Sequence, residues 1–261
     1  MVGSIHRVSE TESVVFFNGC SCKMLNRSGR RLPLFQDGSF DAIITDAPHY
    51  LPDSLTGGNR NFAQYPCFEY SVEDFEEKYR LLKDGCFLVE IVPEENATNF
   101  EYLYYFKKNA IEAGFQYYSK VPWKKGDFVA NTGRKSKNVE DVLFFTKGDC
   151  RSLRPDAKKN KADPSVEHFM SGASGMLPTL FDVQAVSRKD AVAQSQKPLV
   201  LIQRILEYVT KPGELVLDQF AGSGVVGIAS LCSGRNACTV EVMKDTYERS
   251  LGYATRIVSE E

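Results

Sequence analysis

Short apolar runs alternate along this chain with longer segments in which apolar residues recur every three or four positions. The runs predict strands at 14–17, 42–45, 87–92, 142–145, 215–217 and 237–241. The helical spacing predicts helices at about 72–82, 100–113, 198–209 and 225–231. Strands of this length interleaved with helices imply an α/β domain with a largely parallel sheet. Residues 148–178 break the pattern: Gly148, Arg151, Arg154, Pro155, the run Lys158-Lys159-Asn160-Lys161 and the run Ser171-Gly172-Ala173-Ser174-Gly175 read as loop. No internal repeat is visible. A chain of 261 residues then accommodates one catalytic-sized core, 1–147 with 183–261, and a small insertion at 148–182.

Charge changes this picture locally. Basic and acidic residues nearly balance, 32 against 34, yet residues 120–161 hold 12 Lys and Arg against 5 Asp and Glu. That segment carries +7 and leaves −9 for the remainder. A cationic stretch on an otherwise acidic protein fits a face that meets a polyanion, because screening confines such attraction to about 10 Å. It fits a solvated lysine-rich loop equally well. The seven cysteines are odd in number and lack paired metal-ligand spacing, so they read as reduced, mostly buried thiols. With three histidines in all, no metal site is expected. The absence of a signal pattern and of a long apolar run argues against secretion and membrane spanning, and the expected location is cytoplasmic.

The stretch Glu214-Leu215-Val216-Leu217-Asp218-Gln219-Phe220-Ala221-Gly222-Ser223-Gly224-Val225-Val226-Gly227 reads as a strand, a glycine turn and a helix start. Gly222 to Gly227 fits GxGxxG, and Glu241 follows at the distance where an acid takes a ribose diol. A dinucleotide site is one reading. However, Asp218 and Phe220 intervene between strand and first glycine, a better shape for a cationic amino-acid group beside a nucleoside. S-adenosylmethionine has both parts: its ammonium suits Asp218, and its ribose hydroxyls suit Glu241.

Three segments in a fixed order resemble the beta-class DNA amino-methyltransferases, over nearly the whole chain. Asp46-Ala47-Pro48-His49 follows a predicted strand and is similar to that family's Asp-Pro-Pro-Tyr type sequence. Gln196-Lys197-Pro198, with Ser195 before it, looks like the family's Gln-Lys-Pro segment. Asp218 to Gly224 is similar to Asp-Pro-Phe-Ala-Gly-Ser-Gly. Weaker agreements lie at 81–88, 123–124 and 140–147. The resemblance implies a Rossmann-like S-adenosylmethionine-dependent methyltransferase fold, circularly permuted so that the catalytic motif precedes the glycine motif. It implies Asp46, Ala47, Pro48, His49 and Tyr50 as the catalytic loop. It implies Ser195, Lys197, Asp218, Phe220, Gly222, Ser223, Gly224 and Glu241 as cofactor contacts. A homodimer and a cognate nuclease partner follow from the resemblance only.

The chemistry needs these residue types. An exocyclic base amine is a poor nucleophile because its lone pair is delocalised into the ring. The Asp46 carboxylate and the Ala47 carbonyl can each accept one N–H and turn that lone pair outward. Alignment then supplies much of the rate, without a strong base or a metal. A paired base must be flipped out and stacked, and His49 stands at the family's aromatic position with Tyr50 beside it. Ala47 and His49 are the departures from the family's catalytic motif. Pro198 and the Ser195 or Gln196 side chains suit a capped helix start, whose free N–H groups suit a carboxylate. The loop at 50–65 suits closure over a flipped base or an ordinary surface loop.

For DNA, the cations Lys124, Lys125, Arg134, Lys135, Lys137, Arg151, Arg154, Lys158 and Lys159 lie in the interval where the family carries target recognition. Phosphate contacts from such residues position the duplex, while base-edge contacts select sequence. The leading reading is adenine methylation. Cytosine amino methylation and a catalytically impaired nucleic-acid-binding homologue are the alternatives.

Overall fold

The computed structural model describes residues 3–46, 48, 67–126, 138–153, 176–187, 189–193 and 195–260. Its strands are β1 (Ser4–Ser9), β2 (Glu12–Phe17), β3 (Cys20–Asn26), β4 (Phe40–Thr45), β5 (Leu82–Pro93), β6 (Phe115–Lys124), β7 (Val139–Lys147), β8 (Phe181–Asp182), β9 (Leu215–Asp218) and β10 (Asn236–Glu241). Its helices are α1 (Val72–Leu81), α2 (Phe100–Glu112), α3 (Leu199–Val209), α4 (Val225–Cys232) and α5 (Lys244–Glu260).

The strands join one sheet in the order β1-β2-β3-β10-β9-β4-β5-β7-β6-β8. The central five, β3, β10, β9, β4 and β5, are mutually parallel. Antiparallel pairs flank them, β1 with β2 and β2 with β3 at one side, β5 with β7 and β6 with β7 at the other. The sheet is therefore parallel at its centre and mixed at its edges. All six predicted strands and all four predicted helices are present.

Alternation along the central strands builds the two faces. Ala42 and Ile44 of β4, with Phe87, Val89 and Ile91 of β5, pack under Leu201, Ile202, Ile205 and Leu206 of α3 and Val225, Val226 and Ala229 of α4. Ile43 of β4, with Leu88 and Val92 of β5, faces Phe75 of α1 and Leu103, Phe106 and Ala110 of α2. Tyr247, Leu251, Ala254 and Val258 of α5 close a third cluster against Val15, Phe17, Cys22 and Met24. The result is a three-layer α/β/α arrangement.

The described flanks of 148–182 belong to this core. Leu153 and Phe181 are buried, and Trp123 Nε1 donates to the Val183 carbonyl at 2.8 Å. The thiols are less buried than expected: Cys22, Cys86 and Cys238 are buried, Cys20, Cys67 and Cys232 half-buried, and Cys150 exposed. All seven are free. No described helix is long and apolar enough to cross a membrane.

Candidate active site

The sheet order fixes where a ligand can reach backbone. From β9 the chain leaves through α4 to β10 on one side, and from β4 it proceeds to α1 and β5 on the other. Adjacent parallel strands whose connections diverge leave a crevice at their carboxyl ends, where α/β sheets bind ligands. Here those ends are Thr45-Asp46 and Asp218. Thr45 Oγ1 donates to Asp218 Oδ1 at 2.8 Å, so the carboxyl ends of β4 and β9 are joined by a buried side-chain bond.

Asp218 also accepts the Phe220 amide at 3.1 Å, which shapes the turn after β9. Burial nevertheless pushes the Asp218 carboxyl up to about 7. The turn is tied to β10 by the Ala221 amide on the Val240 carbonyl, 2.9 Å. Gly222 takes φ +51, with open space where a side chain would stand, and Gly224 takes φ +76 as the N-cap of α4. A β-carbon on Gly227 would meet Cys22 Sγ and Thr239 Cγ2 at 2.7 Å, so close helix-to-strand packing requires glycine there. Glu241 accepts the Gly222 amide at 2.9 Å and the Met243 amide at 2.7 Å. Burial raises its carboxyl in spite of these bonds. The first glycine thus presents open backbone between two carboxyls, Asp218 and Glu241, a donor set that fits a cationic amino-acid group and a ribose.

Lys197 enters from the segment ahead of α3. Its ammonium lies 2.6 Å from Asp46 Oδ2 and 3.2 Å from Glu140 Oε2, and it donates to the Ser195 carbonyl at 3.2 Å. Ser195 holds a left-handed φ of +59, which turns that carbonyl toward the lysine's own chain segment. Lys125, just past β6, lies 2.5 Å from Glu140 Oε1. Burial works against the Lys197 charge, but the two carboxylates outweigh it and hold the ammonium above the ordinary lysine range. Burial likewise opposes ionisation of Glu140, but Lys197 and Lys125 prevail and lower its carboxyl. Asp46 moves upward: burial, with the Glu140 charge beside it, outweighs Lys197. Lys197, expected as a cofactor contact, is paired with Asp46, the acid expected in the catalytic loop.

Beneath the glycine turn lies a second charged pair. Lys78 of α1 and Glu90 of β5 meet at 2.8 Å with side chains 1% and 0% exposed. Lys78 also stands over the Tyr70 and Phe220 rings, at 5.1 and 5.4 Å. Phe220 in turn contacts Phe68, whose amide donates to the Pro48 carbonyl at 3.3 Å and whose ring lies under Arg30. Gln219, at the family's proline position, donates to the Gly29 carbonyl at 2.7 Å and ties the segment after β3 to the cofactor turn.

In sequence comparison, the DNA methylase profile of the N6/N4 methyltransferases matches residues 40–251. The chain belongs to this family. S-adenosylmethionine is the methyl donor of these DNA methylases, and the donor set around Gly222 fits it. Among relatives, the chain is 25% identical over 224 residues to the type II methyltransferase M.HpaI of Haemophilus parainfluenzae, covering 84% of this chain and 69% of the relative. It is 24% identical to the type II methyltransferase M2.DpnII of Streptococcus pneumoniae, covering 79% of each. The fold matches the M1.HpyAVI–SAM complex with TM-score 0.56 and 20% identity, over 82% and 88% of the two chains. It also matches the cytosine-N4-specific PvuII DNA methyltransferase with TM-score 0.60 and 18% identity, over 92% and 93%.

Of the residues singled out by sequence, the structure gathers Asp46, Ser195, Lys197, Asp218, Phe220, Gly222, Ser223, Gly224 and Glu241 around the ends of β4, β9 and β10. Pro48 lies beside them through Phe68. Ala47, His49 and Tyr50 fall outside the described residues, as do Arg134, Lys135, Lys137, Arg154, Lys158 and Lys159. Neither Ser195 nor Gln196 caps α3; Pro198 is its N-cap, without a side-chain cap, and Gln196 Oε1 accepts the Val192 amide instead. Arg151 is part of the framework. It pairs with Glu214 at 2.6 Å and donates to the carbonyls of Asp41 and Val209. Lys124 pairs with Asp182 at 3.8 Å.

Sequence reasoning missed Thr45, Lys78 and Glu90, and gave Glu140 no role. The signal for Lys78 and Glu90 was present. Lys78 stands on the Phe75–Leu81 stripe of α1, and Glu90 interrupts the run Phe87-Leu88-Val89-Glu90-Ile91-Val92. A charge at a core position of both a helix and a strand announces a buried pair.

Proposed function

We propose that this chain transfers a methyl group from S-adenosylmethionine to the exocyclic N6 amine of adenine in DNA, as the modification enzyme of a restriction–modification pair. The observation that carries the reading is the Asp46 carboxylate. It is 35% exposed, follows β4 directly, is held by Lys197, and lies one strand from the glycine turn. When bound, S-adenosylmethionine supplies an electrophilic methyl group. Asp218 takes its ammonium, Gly222 and Gly224 allow close backbone approach, and Glu241 accepts from its ribose. Asp46 accepts a hydrogen bond from one amine N–H and the Ala47 carbonyl from the other. The nitrogen therefore pyramidalises and its lone pair, withdrawn from conjugation with the ring, is directed at the methyl group; the surplus N–H proton leaves after transfer. His49, with Tyr50, stacks the flipped base. Lys197 keeps the Asp46 carboxylate in one orientation throughout, and alignment carries much of the rate.

An acid at the head of the catalytic motif supports adenine over cytosine, and the type II relatives support a role in modification. Lys124 and the cations of 134–159 supply phosphate contacts beside a target-recognition insertion at 148–182, whereas Lys125 is committed to Glu140. Arg151 is excepted, since its guanidinium is engaged within the fold.

The deciding experiment incubates the protein with unmethylated DNA and labelled S-adenosylmethionine, then identifies the labelled nucleoside after digestion. N6-methyladenosine in the deoxy series supports the proposal. N4-methyldeoxycytidine replaces it with the cytosine reading, and an unlabelled digest overturns both.

A further inference from the structure

Glu140 lies on β7, opposite Pro93 of β5 and Trp123 of β6, and its strand neighbours fix it in place. Among the described residues, its carboxylate is joined to Asp46 through the shared Lys197 ammonium. We propose that Glu140 is a positioning residue for methyl transfer: by sharing the Lys197 ammonium with Asp46, it leaves Asp46 an incompletely neutralised acceptor for the target amine. This rests on the amine-methylation reading above.

The geometry supports it in three steps. Lys197 donates to the Ser195 carbonyl at 3.2 Å and lies within ion-pair distance of two carboxylates, Asp46 Oδ2 at 2.6 Å and Glu140 Oε2 at 3.2 Å, the latter without hydrogen-bond geometry. The ammonium is therefore drawn toward both carboxylates at once rather than paired with Asp46 alone. Glu140 is drawn the other way by Lys125 at 2.5 Å. With Glu140 uncharged, Lys197 would close on Asp46 as a one-to-one pair, and the aspartate would attract an amine hydrogen less strongly. The charged groups around Asp46 are Lys197 ahead of α3, Glu140 of β7, Lys125 past β6, Asp218 of β9 and Glu90 of β5, with the Tyr70 hydroxyl ahead of α1. Of these, Glu140 alone shares the Lys197 ammonium with Asp46 through a direct contact among the described residues.

Glutamine keeps the shape of Glu140 and can still accept from Lys197, so E140Q separates charge from packing. The test follows single-turnover methyl transfer against pH in the full chain with DNA and S-adenosylmethionine. E140Q is expected to lose about tenfold in rate with KM for the cofactor little changed. Its acid limb moves to lower pH by about one unit, since removing a like charge eases ionisation of Asp46. E140D, which retains the charge, keeps the limb near its original position. K125M moves it upward, because one cation near Asp46 is lost and Glu140 takes more of Lys197.

Carbon-13 NMR titration of the Asp46 carboxyl in the free protein, assigned with D46N, is expected to shift in the same directions. This arm reads Glu140 even if no nucleoside is methylated, so failure of the functional reading stays separate from failure of this one. An Asp46 titration identical in E140Q and the unmodified protein overturns the proposal. So does loss of transfer in E140Q with an unmoved limb, which would make Glu140 a packing residue only.

Discussion

Lys197 Nζ lies 2.6 Å from Asp46 Oδ2 and joins the end of β4 to the segment ahead of α3. Residues 46 and 197 lie far apart in sequence, and they meet because α3, which Lys197 precedes, packs over β4. An ion pair on the carboxylate proposed to accept the target amine is expected to act on orientation more than on stability.

Replacing Lys197 by methionine tests that. The side chain is 7% exposed, and its loss leaves Glu140 and Asp46 close together with a cation missing. Breaking a buried pair costs about 3–5 kcal/mol, and the partial exposure of Asp46 places this site nearer 2 kcal/mol. K197M is expected to remain folded, with a lower midpoint in denaturant. It is expected to lose at least about a hundredfold in kcat, on the scale of removing one aligned electrostatic contact. A kcat within threefold of the unmodified protein would show that Asp46 needs no such restraint.

The Asp218 carboxyl gives the free protein a pH signature. Its folded pKa, about 7, stands above the usual carboxylate value, because burial disfavours the charged form. The folded state therefore binds a proton that the unfolded chain has released. This group's contribution is full below the unfolded value and is lost as pH rises from about 4 through about 7. A bound ammonium needs the ionised acid, so cofactor affinity rises over the upper part of that range. D218N is expected to weaken S-adenosylmethionine binding, abolish its pH dependence between about 6 and 8, and stabilise the free protein above pH 7. Calorimetric titration at three pH values, with thermal melts alongside, measures all three. Affinity in D218N that still climbs with pH would assign the titration to another group.

The buried Lys78–Glu90 pair makes a contrasting prediction about stability. Both side chains are essentially inaccessible to water, so removing one charge strands the other. K78M alone is expected to cost about 3–5 kcal/mol in urea unfolding, whereas K78M with E90L should recover most of that loss. The pair also lies against the Tyr70 and Phe220 rings, so the double variant should bind S-adenosylmethionine more weakly than its stability suggests. A double variant as unstable as the single one would mean that packing around α1, rather than the uncompensated charge, sets the cost.

The elements that sequence reveals and those it hides differ in how much of their surface is buried. The strands β4, β5, β7, β9 and β10 are covered on both faces and read as apolar runs, that of β5 broken only at Glu90. β1 is almost wholly exposed, and β6 is polar along its first half, so neither shows the signal of a buried strand. In α5 the buried residues Tyr247, Leu251, Ala254 and Val258 keep helical spacing, but Gly252 and interspersed charges dilute it. At the site, the glycine turn and Asp46 are visible as motifs because local backbone demands fix their residue types. The partnership of Lys197 with Glu140 is invisible in sequence, since it depends on which strands become neighbours. Arg151 shows the converse: a cation in a basic stretch that the fold uses internally, against Glu214 and two carbonyls.

Gly29 supplies the last test, because it lies outside every motif yet touches the cofactor turn. A β-carbon there would stand 1.9 Å from the Gln219 carbonyl oxygen and 2.9 Å from its carbon, backbone atoms with no freedom to rotate away. The Gln219 side chain donates to the Gly29 carbonyl at 2.7 Å, so the two segments hold each other at this separation. G29A must therefore displace either the segment after β3 or the turn between Asp218 and Gly222. Overpacking of this kind costs about 1–3 kcal/mol. The expected outcome is a modest drop in melting temperature with a larger loss of S-adenosylmethionine affinity, tenfold or more, because the displaced turn carries Phe220 and Gly222. Gly252 is the control, since a β-carbon there meets nothing within 4 Å. G252A should leave cofactor binding unchanged. Equal affinities for G29A and G252A would show that the segment after β3 yields and the cofactor turn does not depend on it.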